Sequence, residues 1–579
     1  LLTGKQQLKS IWTNMSNRNL VKKGLNYISH YGVKGFARKV QEQLRSEPVP
    51  YKEWYPHHFV SQDEKEEQYS RTFPYNPVIS IIVPTYETPK DFLCALIESV
   101  QDQTYGRFEL CIADGSKTGA VKSVVNGYMV TDTRIKYKRL EKNEGISGNT
   151  NSGIDMATGE YIALLDHDDI IEPNALFEVV RVINEDKEAA LIYSDEDKTD
   201  YEGREFFKPH LKPDFDLGLL RSNNYICHFL VVKKELVSKV GGLNPEFDGA
   251  QDYDFILRCI ENTDKIYHIP KVLYHWRVSE NSTAENPSSK TYAFEAGRRA
   301  LEAHLDRVGL SGTVTNASDL GYYRVRLELP EEPSVSVIIT TRNKNTSLVK
   351  CVDSVRKSDY GNFDFYLVEE DCEAINRCVE EEATGEFILI LNEELTIPAS
   401  GWMREMVSQC APKDVGAVGC KILTPAGKLF NKNLPVKAVY HGGMIIGLGG
   451  IVGNAFKGLQ SNLTGYAHRA SIIGDCSAVS PLMFMIKRET FLEYDGLDRL
   501  PAPGLAGPDL CLRMRENNLR IVYDPYVVAT YYGQGAKINP RDREWMRNRW
   551  AHLLSRGDRY YNPGFSLESP GFILKAPKK

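Results

Sequence analysis

The 579-residue sequence contains no apolar run approaching the roughly 20 residues a membrane-crossing helix needs; the longest, such as Val78 to Val83 and Phe387 to Leu391, are far shorter. That excludes a transmembrane helix. No continuous apolar segment followed by a small-residue cleavage site stands near the N-terminus, so a cytoplasmic protein is expected. The eleven cysteines lack paired short spacings, which points to reduced, mostly buried thiols and away from a disulfide framework or a zinc site. Charge of one sign is also missing: 71 Lys and Arg face 77 Asp and Glu, a net of -6, so nothing suggests nucleic-acid binding. What remains is an ordinary globular composition, 42% hydrophobic and 26% charged, in a chain long enough for roughly two to four domains.

The charge is unevenly placed. Lys5, Lys9, Arg18, Lys22, Lys23, Lys34, Arg38, Lys39 and Arg45 face one acid, Glu42, and are interleaved with Leu8, Ile11, Trp12, Met15, Leu20, Leu25 and Ile28. Residues 1–60 therefore predict a basic amphipathic helical arm, packed on the next domain or lying on an anionic membrane. A polar stretch, 61–76, reads as a linker. From Pro77 short apolar runs alternate with helical spacing: Val78 to Val83, Phe108 to Ala113, Tyr161 to Leu165 and Ala190 to Tyr193 as strands, and Leu93, Leu96, Ile97 and Val100 on a helix face. Repeated βα units predict a mostly parallel, doubly wound sheet with its ligands at the carboxyl ends of the strands.

The pattern then recurs. Ala157-Thr-Gly-Glu-Tyr-Ile-Ala-Leu-Leu165 is echoed by Ala383-Thr-Gly-Glu-Phe-Ile-Leu-Ile-Leu391, Val78 to Val83 by Ser334 to Ile339, and Asp254-Phe-Ile-Leu-Arg258 by Asp509-Leu-Cys-Leu-Arg513. Two α/β domains in tandem are expected, 77–310 and 334–535, with a linker over 311–333 and a C-terminal helix and tail over 536–579.

Directly after the run ending at Leu165 stands Asp166-His167-Asp168-Asp169, three carboxylates in four positions. Like charges this close raise one another's pKa unless a cation joins them, and oxygen ligands favour Mg2+ or Mn2+. Alternatively, Asp169 caps the next helix and the others are solvated. Here the chain resembles the family-two glycosyltransferases of the GT-A fold, over roughly Pro77 to Leu310. Pro84-Thr85-Tyr86-Glu87 resembles the family's nucleotide-contacting segment, Asp114 its base-reading acid, and Asn143 to Asn151 its "NxGxxxxxN" segment, although Gly148-Asn149 stands where many members carry Ala-Arg. Asp166-His167-Asp168 resembles the "DxD" motif. The resemblance implies Asp166 and Asp168 as metal ligands, Asp166 and His167 also as nucleotide-sugar contacts, Asp252 in Gly249-Ala-Gln-Asp-Tyr-Asp254 as the general base, and His275 in Tyr274-His-Trp-Arg277 as a further metal or diphosphate ligand. Trp276 and Arg277 follow as phosphate or sugar contacts. The stretch from Phe206 to His228, with Asn223-Asn224 and Cys227-His228, and the closing Asp558-Arg-Tyr-Tyr-Asn-Pro563 resemble bacterial surface-polysaccharide enzymes, rhamnosyltransferases among them.

The resemblance thus implies an inverting, metal-dependent transfer of a sugar from dTDP-rhamnose or a UDP-hexose to a growing polysaccharide or lipid-linked oligosaccharide, at the inner face of the cytoplasmic membrane. In the second domain Asn392 and Glu394 stand where the first has Asp166 and Asp168, Gly507 faces Asp252 and Thr530 faces His275. Glycine cannot take a proton, so this domain is expected not to transfer sugar by the same route. Two other readings stay open: a bifunctional polymerase in which Glu393 and Glu394 rescue a metal site, and a non-catalytic glycan-binding scaffold. No oligomeric state follows from the sequence.

Overall fold

The computed structural model describes residues 28, 32–33, 35–42, 48–278, 291–342, 346–426, 436–500, 503–535 and 538–577. The alternation predicted from Pro77 onward becomes strands β1 (Ile79–Thr85), β2 (Phe108–Asp114), β3 (Ile135–Arg139), β4 (Tyr161–Leu164), β5 (Ile170–Ile171), β6 (Leu191–Thr199), β7 (Phe206–His210), β8 (Leu230–Lys233) and β9 (Ile266–Arg277). They form one sheet in the order β3-β2-β1-β4-β8-β6-β9-β5, with β7 on β6. Every residue of β1 and β2 is buried, as near-continuous apolar strands covered on both faces require. The helix Lys90–Gln101 supplies part of that cover through Phe92, Leu93, Leu96, Ile97 and Val100. While β3, β2, β1 and β4 run parallel, β8 is antiparallel to both β4 and β6.

A hairpin, β10 (Gly312–Asn316) with β11 (Tyr323–Leu327), precedes the second sheet. That sheet contains β12 (Val335–Thr341), β13 (Phe363–Glu369), β14 (Phe387–Asn392), β15 (Leu395–Thr396), β16 (Val415–Thr424) and β17 (Ala438–His441). After the separate pair β18 (Met444–Ile446) and β19 (Val452–Asn454), it is completed by β20 (Gly474–Asp475), β21 (Met483–Lys487) and β22 (Arg520–Tyr531). Its order, β13-β12-β14-β21-β16-β22-β15, repeats that of the first from β2 to β5. The chain is two tandem GT-A-like α/β domains. The echoed Ala-Thr-Gly-Glu segments have a physical cause: Gly159 N–H donates to Ser80 Oγ (3.0 Å) and Gly385 N–H to Ser336 Oγ (2.9 Å). A Cβ at either glycine would lie 2.4 Å from the backbone of the neighbouring strand.

Two stretches read as linkers carry structure of their own. Residues 61–76 include the helix Gln62–Ser70, started by a capping box of Ser61 and Glu64. Residues 311–333 hold the β10–β11 hairpin, which buries Val314, Tyr323 and Val325. Polarity there reflects one solvated face and not a lack of structure. Of the basic arm, residues 35–42 are helical, and most of the rest lies outside the described residues. The domains share a core in which Tyr51, Trp54, Leu211 and Val272 pack with Leu423, Val439, Phe565 and Phe572. Past the helices Pro540–Arg549 and Ala551–Arg556 the tail returns to the first domain, where Asn562 Nδ2 donates to Asp195 Oδ2 (2.8 Å) and to the Lys212 carbonyl (2.9 Å).

Candidate active site

Beyond the carboxyl end of β4 opens a cleft of about 1350 Å³. Pro84, Asp166, His167, Asp168, Asp252 and Trp276 line it, together with Asn224, Cys227 and His228. The acidic quartet is held from behind. Asp169 is fully buried, accepting from the Arg277 N–H (2.8 Å) and from the Tyr274 hydroxyl. Burial, then the charges of Asp168 and Asp166, push its carboxyl well above the usual aspartate range. The Asp168 carboxyl is pushed up as well, by burial first, with Asp166 adding and His167 opposing. At both acids burial and like charge outweigh the nearby positive groups.

Ligand atoms of Asp166, Asp169 and His228 all lie within 4.8 Å of one another. Two carboxylates and one imidazole suit Mn2+ or Mg2+ by their oxygen content, and the buried, raised carboxyl of Asp169 fits a positive partner. This differs from the expected set of Asp166, Asp168 and His275. Asp168 lines the cleft beside the cluster without belonging to it. His275 is buried, its Nδ1 at 2.6 Å from Asp197 Oδ1 and its Nε2 at 3.1 Å from Glu172 Oε1. Burial disfavours its charge, but the two carboxylates outweigh that and push its pKa up to about 10. With both ring nitrogens engaged it has no lone pair for a metal. Tyr51 and Tyr55, from the segment before the first domain, donate to the same Asp197 and Glu172, so His275 anchors that segment. The histidine that faces the acidic cluster is His228, whose Nε2 lies 3.7 Å from Asp166 Oδ2. Cys227-His228 was visible in the sequence, but only the antiparallel entry of β8 beside β4 brings it to the acids.

Asp252 lies in the first turn of the helix Gln251–Ile260, and its Oδ2 accepts from Asn224 Nδ2 (2.7 Å). Burial raises its pKa, while the charge of His228 lowers it. A carboxylate placed this way accepts a proton readily. Arg277 does not face the cleft: its guanidinium donates to the carbonyls of Asp168 (2.6 Å) and Tyr201 (2.7 Å), fixing the acidic loop. Trp276 faces inward, 4.6 Å from Lys198 Nζ.

The remaining predicted contacts gather at the carboxyl ends of β1 and β2. Asp114 is buried and accepts from the Ser116 N–H (2.9 Å) and the Tyr137 hydroxyl (2.6 Å); the Thr85 hydroxyl donates to it at 3.3 Å. Glu87 accepts from the N–H groups of Lys117 (2.7 Å) and Thr118 (3.0 Å), and Tyr86 is exposed. Asn143 Oδ1 accepts from Asn149 Nδ2 (2.9 Å), so the residue that departs from the family pattern shapes this turn. A Cβ on Gly115 would come within 2.8 Å of Asn149, which is why glycine follows Asp114. Asn151 is elsewhere, spanning the Leu243 backbone with both amide atoms (2.8 and 2.9 Å).

In the second domain the corresponding region differs. Asn392 Nδ2 donates to Glu370 (3.2 Å), Glu393 accepts from the Thr341 hydroxyl (2.7 Å) and the Arg342 N–H (2.9 Å), and Gly507 packs on Pro481. The Thr530 hydroxyl accepts from Lys437 at 3.2 Å. A cavity of about 410 Å³ remains there, with Ile375, Ile390, Met444 and Phe484 in its walls.

The first domain thus presents a doubly wound sheet with an acidic cluster and a half-buried carboxylate, Asp252, at its ligand-facing edge. Residues 80–241 match the family model described as glycosyl transferase family 2, and the first domain belongs to that family. The chain is 34% identical over 555 residues to an uncharacterised protein of Sinorhizobium fredii, across 88% of this chain and 60% of that one. It is 30% identical over 530 residues to an O-antigen biosynthesis protein of Myxococcus xanthus, across 85% of this chain and 40% of that one. Over 276 residues it is 27% identical to a chondroitin synthase of Escherichia coli, covering 47% and 38% respectively. The chain therefore spans 60% or less of the length of these relatives.

Proposed function

We propose that this chain is an inverting, divalent-metal-dependent glycosyltransferase that moves a sugar from a nucleotide-sugar donor, dTDP-rhamnose or a UDP-hexose, to a growing cell-surface polysaccharide or lipid-linked oligosaccharide. The observation that carries the reading is the convergence of Asp166, Asp168 and His228 with Asp252 in one cleft, with Asp169 buried beside Asp166 and His228. The similarity to an O-antigen biosynthesis protein supports a polysaccharide role. In this reading Asp166, Asp169 and His228 would hold Mn2+ or Mg2+, which when bound supplies positive charge at the departing diphosphate. Asp252 takes the proton of an acceptor hydroxyl, kept in place by Asn224. The acceptor oxygen bonds to the anomeric carbon from the face opposite the leaving group, and the nucleoside diphosphate departs with the electron pair of the broken C–O bond. No covalent enzyme intermediate forms.

The second domain is non-catalytic in this reading, because Gly507 offers no base and the carboxylate of Glu393 is committed to its own β12 neighbours. Incubation with dTDP-rhamnose, UDP-galactose, UDP-glucose and UDP-N-acetylglucosamine tests the proposal. One donor is expected to be hydrolysed slowly with Mn2+ or Mg2+ and left intact in EDTA. Hydrolysis of none, or activity indifferent to EDTA, overturns it.

A further inference from the structure

The two sheets end differently on the side of their parallel strands. In the first domain β2 is covered by β3, which the connection 115–160 supplies together with the helix Ala120–Met129. The second domain makes the corresponding crossing, from β13 to β14, over residues 370–386, which hold the helical stretch 372–382 and no strand. That leaves β13 as the edge of its sheet. Among the described residues no strand pairs with its outer side, where Phe363–Glu369 presents a row of backbone N–H and C=O groups.

The other edges are protected. β3 carries Lys136, Lys138 and Arg139, whose charge keeps a further strand away, and the opposite edges β5 and β15 are only two residues long. β13 has seven residues and no Lys or Arg. The Arg356 guanidinium lies over the Phe365 ring at 5.5 Å, which places Phe365 and, by the alternation of a strand, Leu367 on the side of the helix Thr346–Arg356. On that side Phe365 is 37% exposed, Leu367 47%, and Val349 of the helix 58%. Tyr366 and Val368, on the other side, pack against the domain's core. A long apolar edge with open backbone groups calls for another strand.

We propose that β13 is the seam of a two-fold dimer, in which it pairs antiparallel with β13 of a second copy of this chain. The strand is complementary to itself. Centred on Tyr366, the pairing sets Phe365 opposite the partner subunit's Leu367, and by symmetry the same apolar pair forms twice. Asp364 meets the partner's Val368 and Glu369 meets the partner's Phe363, so no like charges stand opposed. Glu369 of the partner subunit also falls diagonally beside Phe365, on the face where Arg356 lies, and offers that guanidinium an acid. The two sheets become one. Val349, Phe365 and Leu367 do not line the first domain's cleft, so the dimer leaves it open. The second domain thereby has a task that needs no catalytic residue.

Sedimentation velocity of the full chain across a range of concentrations tests the seam, beside the double variant Phe365→Lys, Leu367→Lys, which gives β13 the kind of charge that β3 carries. The unchanged chain is expected to sediment as a dimer at micromolar concentration. In the variant the dimer dissociation constant should rise about tenfold or more, with the thermal midpoint kept. A second measurement does not depend on that variant. Chains carrying Phe365→Cys are mixed with chains carrying Leu367→Cys and oxidised. Opposed residues of an antiparallel pair lie about 4.5–5.5 Å apart at Cα, within disulfide reach, whereas position 365 is only diagonal to its own copy. A cross-linked dimer is expected in the mixture and not in either chain alone. A monomer at every concentration, a dimer indifferent to the lysines, or cross-linking that is absent or equal in the unmixed chains overturns the proposal. So does a monomeric full chain that dimerises once residues 1–34 are removed, because the edge would then belong to the chain's own N-terminal segment.

Discussion

At the scale of single residues, function divides among side chains that share a charge type but not an environment. Asp252 and Asp169 both have raised pKa values, yet Asp252 is half-buried and opens to the cleft while Asp169 is buried and tied to Tyr274 and Arg277. Asp252→Asn keeps the bond geometry to Asn224 but cannot take a proton, and a lost general base costs about 10²–10⁴-fold in rate. Transfer should fall by that factor with donor binding retained. In the unchanged protein, the acid limb of the transfer rate should lie above the ordinary aspartate pKa of about 3.9. Product formation and nucleotide titration, each followed against pH, check both statements. The two histidines separate differently. His228→Ala is expected to raise the Mn2+ concentration needed for half-maximal activity at least tenfold with little change in stability. His275→Ala leaves Asp197 and Glu172 buried without their cation, a loss of about 3–5 kcal/mol. Because the folded-state pKa of His275 is raised to about 10, its contribution is complete below the unfolded value of about 6.5 and is lost as pH climbs toward 10. Thermal midpoints from pH 6.5 to 10 should therefore decline less steeply in His275→Ala than in the unchanged protein.

Among the elements, the repeated sheet shows how one backbone plan carries two different edges. The glycines of the two Ala-Thr-Gly-Glu segments are dictated by close approach to β1 and β12, a constraint of the fold that both domains obey. The positions at the carboxyl ends of β4 and β14 answer to chemistry, and there the domains diverge: Asp166 to Asp169 in the first, Asn392 to Leu395 in the second. Glu394 accepts from the Tyr531 hydroxyl (3.3 Å), and its N–H donates to Asn392 Oδ1 (3.0 Å), a closed local arrangement. Glu394→Ala should thus leave the linkage made at the first domain nearly unchanged, as read by mass spectrometry of the product. A second linkage that vanishes in this variant and persists in Asp252→Asn would make the second domain an active transferase. The strands of each repeat were legible because fully buried parallel strands are apolar throughout. Short β5 and β15, two residues each, and the antiparallel β8 and β21 carry no such periodicity and emerge only from pairing.

At the scale of the whole molecule, the described end of the arm, the hairpin and the second domain all line the first domain's cleft, while the tail fastens to Asp195 and Lys212. Arg38 pairs with Asp319 (2.6 Å) and Glu42 with Thr464, so the end of the arm belongs to the cleft, whereas Lys5, Lys9, Arg18, Lys22, Lys23 and Lys34 precede it. Deleting residues 1–34 should weaken sedimentation with anionic vesicles, at about 1 kcal/mol for each basic residue near the surface, and spare transfer to a soluble acceptor. Deleting 1–47 should reduce transfer as well, since it removes Lys39 and the Glu42 tether; equal transfer by both truncations would confine the arm to membrane contact. The sequence by itself determined the tandem α/β plan, the acidic cluster at a strand's end, the isolated Asp252 motif and the degeneration of the second repeat. The plan, the cluster and the degeneration are local, following from periodicity, from spacing along one strand and from comparison of one repeat with the other, whereas the Asp252 motif was legible only through its resemblance to the family's acceptor-site segment. Only the tertiary structure decided that His228 and not His275 faces the acids, and that the second domain walls the first domain's cleft. Those facts depend on which distant segments meet when apolar surfaces are buried together. A histidine in or beside a strand has the same spelling whether its nitrogens meet a cleft or two buried carboxylates.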